Sequence, residues 1–107
     1  MKLESFDVTL LKELKDPEFA TAFLQEALDE SLEEFLISLR KVVQANGGMK
    51  VCAEKTQLSR EAIYRMLSET GNPELRSVQS ILNAYDLRLS ILPQQAPQAS
   101  EELAEVA

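Results

Sequence analysis

MKVCAEKTQLSREAIYRML, residues 49–67, decides the fold. It reads as a helix, a tight turn and a second helix. The second opens on a capping Ser59 and carries Arg60, Tyr64 and Arg65 outward. Small Ala53 falls where two helices must approach, and Cys52, Leu58, Ile63 and Met66 recur at the spacing of a buried inner face. This is the pattern of a helix-turn-helix DNA reader, whose second helix enters the major groove. The turn reads Thr56-Gln57-Leu58, with Gln57 where such units favour Gly. A positive φ is expected there, at a cost to a non-Gly residue of roughly 1 kcal/mol.

Seven residues of this stretch are candidates for contact with DNA: Lys50, Lys55, Ser59, Arg60, Glu61, Tyr64 and Arg65. Arg60 stands beside the positive end of the helix dipole, where a cation is unfavourable, so an anionic partner explains it better than helix energetics does. Arg65 follows near the same face, and a bidentate Arg–guanine contact is worth about 1–3 kcal/mol of discrimination. Tyr64, between them, offers its ring to a thymine methyl and its hydroxyl to a phosphate. Ser59 is first a helix cap and second a phosphate ligand. Glu61 is first a partner for the dipole and second an acceptor for a cytosine amino group. Lys50 and Lys55 read equally as phosphate contacts and as surface lysines. Cys52 reads as core, with no base nearby to activate it.

Working outward, Asp16-Pro17-Glu18 is a helix start, with a carboxylate cap, Pro in the first position and an acid in the first turn. That helix is expected to reach Leu28 and to bury Phe19, Phe23, Leu24 and Leu28. Ser31 with Glu34 has capping-box spacing. Leu32, Phe35, Leu36, Leu39, Val42 and Val43 then form an amphipathic stripe, stopped by Gly47-Gly48 with one glycine left-handed. Glu69-Thr70-Gly71-Asn72-Pro73 is a loop whose turn sets the angle to the next helix. That helix, Leu75 to Tyr85, is expected to bury Leu75, Val78, Ile81, Leu82 and Tyr85. Residues 87–92, LRLSIL, alternate like a short strand halted by Pro93. A lone strand needs a partner, so it is expected to pair with a second copy of the chain or with another protein. Residues 1–15 read as an N-terminal arm with a short helix, 16–92 as the helical domain, and 93–107 as a disordered tail.

Composition narrows the function. The chain has no His and one Cys, so an imidazole base, a thiol–imidazole pair and a disulfide within the chain are all excluded. No Gly-rich phosphate loop, metal-ligand spacing or cofactor motif is present, and the reading is of a non-enzyme without cofactor or metal. No apolar run approaches the roughly 20 residues that span a bilayer. A cytoplasmic location is expected, without membrane association. The net charge is −7, unusual for a DNA binder, but it is unevenly spread. Residues 1–48 hold five basic and ten acidic groups, residues 49–76 five and four, and residues 77–107 one and four. Only the central segment escapes the acidity. The acidic remainder suggests a second partner that is itself basic.

The string from Phe6, FD…LKDPE.A..FL..AL, then FL..L..V..A.GGM, AEKT.LSRE..Y..LSE.GNP and IL.A..LRLS, resembles the small Cro/repressor-type helix-turn-helix antitoxins of bacterial addiction modules. The resemblance covers residues 6–92, and LSRE with Tyr64, Leu67-Ser68 and Gly71-Asn72-Pro73 is its most specific part. It implies an all-α, five-helix Cro/repressor-like domain with a short C-terminal strand and a flexible acidic tail. It further implies a DNA-binding antitoxin that neutralises a small basic RelE/ParE-type toxin encoded beside it. Such proteins bind their own operator as dimers and repress the operon, and the reading helix maps onto Ser59–Ser68; the lone strand at residues 87–92 is the candidate for the homodimer contact. Two alternatives stand: a helical protein-interaction module that no longer reads DNA, and a stand-alone phage-type repressor.

Overall fold

In a computed structural model the described residues are 2–68 and 70–94, with side chains placed from Asp7 onward. They form six helices: α1 (Lys2–Glu13), α2 (Pro17–Glu30), α3 (Leu32–Ala45), α4 (Gly48–Thr56), α5 (Arg60–Met66) and α6 (Leu75–Ala84). The fold is all-α, with one helix more than the five expected. The additional one is α1, formed from the residues read as an arm, and it packs on α3. Leu14, just past its end, is fully buried in the core.

The expected strand does not form among the described residues. Residues 87–94 carry no regular secondary structure, because no second strand is present among those residues to complete a ladder. The expected flexible tail lies, from residue 95 on, outside the described residues.

The helix ends follow from side-chain chemistry. Asp16 accepts the Glu18 N–H at 3.1 Å and Pro17 occupies the first helical position, so α2 begins where the sequence places its start. Ser31 is the entire connection between α2 and α3. Its N–H closes α2 on the Ala27 carbonyl (3.1 Å) while its hydroxyl opens α3 by accepting the Glu34 N–H (3.0 Å). Because its N–H is already used, only half of the expected capping box forms. Asn46 then ends α3, its side chain donating to the Val42 carbonyl at 2.8 Å. Both following glycines have positive φ, 109° at Gly47 and 85° at Gly48. A Cβ on Gly47 would stand 2.7 Å from Val51 Cγ2, so this position excludes side chains on two counts.

α3 is the central rod, in contact with α1, α2 and α4. Its Leu39, Val42 and Val43 are buried with Leu14, Cys52, Ile63, Leu67 and Ile81 in one core. Each such apolar side chain contributes about 1.5–3 kcal/mol on burial. Three leucines expected inside are not. Leu28, Leu32 and Leu75 are 40%, 69% and 71% exposed. Leu32 and Leu75 are the first residues of α3 and α6, ahead of the turn where each helix meets the core, and Leu28 lies at the open edge of a groove described below.

Candidate functional site

The two helices expected within residues 49–68 are α4 and α5, packed on one another and joined by Gln57, Leu58 and Ser59. Thr56 fixes this connection. Its hydroxyl donates to the Cys52 carbonyl at 2.7 Å and accepts the Leu58 N–H at 3.3 Å. Gln57 takes the left-handed conformation, φ 65° and ψ 17°, as the sequence anticipates. Two hydrogen bonds hold it there: its N–H to the Ala53 carbonyl (2.9 Å) and its side-chain amide to the Glu54 carbonyl (3.1 Å). These offset the conformational cost, so a non-glycine turn keeps the two helices in close register. Ser59 then caps α5, accepting the Ala62 N–H at 3.0 Å.

Below the turn, Ile63 and Leu67 anchor α5 in the core. Above it, Ser59, Arg60, Glu61, Tyr64 and Arg65 are all exposed, as are Lys50 and Lys55 on α4. Arg60 and Tyr64 are four residues apart and share one helix face. Glu61 and Arg65 have the same spacing, yet neither they, Arg60 nor Lys50 forms an ion pair among the described residues. The structure therefore exposes all seven candidates and, among the described residues, leaves Lys50, Arg60, Glu61 and Arg65 without ion pairs. The other end of α5 is closed tightly. Ser68 donates to the Arg65 carbonyl at 3.0 Å, and Gly71 lies so close to the Met66 carbonyl oxygen that a Cβ would collide with it.

Two contacts tie this surface to other helices. The Arg40 guanidinium, on α3, lies 4.4 Å from the centroid of the Tyr64 ring, within cation–π distance. Arg40 belongs to the acidic half of the chain and is missing from the candidates drawn from sequence. No local signal marks it, since it stands 24 positions before Tyr64 and only the folded chain brings them together. Lys55 Nζ sits 5.6 Å from the ring centroid of Tyr85, which follows α6. Beneath that lysine, Cys52 and Tyr85 are buried, and the Tyr85 hydroxyl has no hydrogen-bond partner of good geometry. Burial pushes both the Cys52 thiol and the Tyr85 phenol above their ordinary ranges. For Cys52 the adjacent phenol and the Lys55 charge act the other way without cancelling desolvation. A neutral, poorly exposed thiol is core and not a nucleophile.

Away from this surface the molecule is acidic. Glu26, Asp29, Glu30, Glu33 and Glu34 crowd the corner where α2 meets α3, all exposed and all without ion pairs among the described residues.

The arrangement is that of a small all-helical binding domain with oppositely charged surfaces. Residues 2–93 match the model of a family described as probable addiction module antidote proteins, and the chain belongs to that family. An uncharacterized protein of Haemophilus influenzae is 30% identical over 90 residues, covering 84% of this chain and 91% of that protein. No solved structure matches the chain. Among the described residues no helix is long and apolar enough to cross a membrane.

Proposed function

We propose that this antidote-family protein is a cytoplasmic, non-enzymatic antitoxin that neutralises a small basic RelE/ParE-type toxin and represses its own operon by presenting α5 to the major groove. The observation that carries the DNA part is the exposed set Arg60, Tyr64 and Arg65, its two arginines without ion pairs among the described residues, on a helix that Ser59 caps and Ile63 anchors. In this role Arg60 and Arg65 meet base edges or phosphates, Lys50 and Lys55 meet phosphates, and Ser59 touches the backbone at the helix start. Glu61 keeps its place as a dipole partner.

Reading a near-palindromic operator requires two copies with reading helices about 34 Å apart. The segment 87–92 supplies the interface in this proposal. The backbone groups of residues 88–92 make no hydrogen bonds among the described residues, and Ile91 is 97% exposed, as suits a strand awaiting its pair.

The deciding experiment is a salt titration of binding to DNA from immediately upstream of the gene, with unrelated DNA as control. Specific binding that falls steeply with salt supports the repressor, because the slope reports the number of phosphates neutralised. The net charge of −7 favours a second reading, a protein-interaction module without DNA binding. Equal, weak binding to both DNAs at low salt would establish that second reading.

A further inference from the structure

The described residues include a groove of about 420 Å³, far along the chain from α4 and α5. One wall is α2, with Leu24 and Leu28. The opposite wall is the segment after α6, with Leu87, Leu89 and Leu92, and Phe35 of α3 also lines it. Leu28 is 40% exposed, Leu89 38% and Leu92 74%. Leu32, at the adjoining corner, is 69% exposed. Apolar side chains so grouped at a groove mark an interaction site.

Charge identifies the occupant. From Glu26 to Glu34 the chain carries five carboxylates and no cation, and Asp86 stands on the facing wall. Arg88 is the single cation among the described residues that line the groove. The five corner carboxylates do not line the groove, but they make no ion pair among the described residues, so the α2–α3 corner between Leu28 and Phe35 carries a negative field beside the apolar lining. A nucleic acid or an acidic peptide is repelled by such a corner. A protein surface that inserts a bulky apolar side chain between lysines or arginines satisfies both features at once, with the apolar contact supplying affinity and the charges steering encounter.

We infer that this groove is where the toxin docks, through an apolar side chain set among basic residues. The inference rests on the antitoxin reading and deepens it by placing the toxin on α2 and the start of α3, with the side chains of Leu87 and Leu89 as the facing wall and the backbone edge of residues 88–92 left to the second copy. None of these belongs to the DNA-facing surface of α4 and α5. Toxin and operator therefore occupy different faces of one chain.

The test uses the full chain and the purified basic protein encoded by the neighbouring gene. Two double variants are titrated against it: Leu28→Ser with Leu32→Ser, and Asp29→Lys with Glu33→Lys. All four positions are exposed, so thermal melts near that of the wild type are expected. The leucine pair should weaken the complex at least 100-fold and the charge pair at least 10-fold, with operator binding unchanged. Wild-type affinity in both variants would remove the groove while leaving the antitoxin reading intact. Failure of the wild-type chain to bind that protein at all would remove the antitoxin reading, and the groove with it. Loss of the dimer in the leucine variant, with toxin affinity kept, would assign the groove to a second copy of the chain and overturn the inference.

Discussion

Two helix pairs of similar construction have opposite surfaces. α2 and α3 are 14 residues each and turn on the single residue Ser31. α4 and α5 are nine and seven residues and turn on three. Both second helices are opened by a serine hydroxyl that accepts a backbone N–H at 3.0 Å. The α2–α3 corner displays carboxylates around exposed leucines, and the α4–α5 pair displays cations around an exposed tyrosine. Among the described residues neither set pairs with the other. Free charge that a fold leaves unpaired on separate faces is available for partners of opposite sign, and the function proposed above gives each sign its own partner.

The largest way to break this comparison is to remove the cations. Arg60→Ala with Arg65→Ala should weaken operator binding by about 30-fold or more, taking about 1–3 kcal/mol for each arginine. The melting curve and toxin affinity should stay unchanged, and equal affinity at physiological salt would show that α5 does not read DNA. Gly71→Ala attacks the same helix from its far end. Its new Cβ meets the backbone carbonyls of Arg65 and Met66, and a loss of about 1–3 kcal/mol is expected in chemical denaturation.

The two serines sharpen the comparison further. Ser31→Ala and Ser59→Ala should each cost about 1 kcal/mol of stability. Only Ser59→Ala should also reduce operator affinity, and a matching loss in Ser31→Ala would show that affinity merely follows stability. Alkaline titration probes the seam between α4 and α6. Cys52 and Tyr85 have raised values in the folded chain. Their contribution to stability is therefore complete below the ordinary thiol range, near 9.0, and is lost as pH climbs above it. Cys52→Ala with Tyr85→Phe should flatten that decline. The smallest effect is expected from Gln57→Gly, which relieves the left-handed residue but frees the unfolded chain, for a net change under about 1 kcal/mol. A larger loss would show that the Gln57 amide bond to Glu54 dominates.

Most of the helical frame was legible because its signals are local. Asp16-Pro17, Ser31, Gly47-Gly48 and Ser59 act on backbone groups two to four residues away, and even the positive φ of Gln57 follows from its place in a turn. What sequence left unread depends on distant partners. α1 has helical spacing from Leu3 to Leu14 but no strong start signal, and the surface that receives it is α3. Alternation in LRLSIL reports strand character without saying whether another strand exists to pair with it. Periodicity marked Leu28, Leu32 and Leu75 as apolar, yet exposure is decided by where each helix meets its neighbour. Arg40 could not be assigned to the α5 surface from its acidic surroundings.

That arginine has a consequence for how the two partners would sense each other. Phe35, in the groove, and Arg40, against Tyr64, are five residues apart on α3, about 7.5 Å along its axis. One stiff rod thus borders both faces. If occupancy of the groove alters operator affinity by some factor through this rod, the operator must alter toxin affinity by the same factor, because the coupling free energy belongs to neither site alone. An operon governed by such a protein would respond to the toxin as well as to the antitoxin.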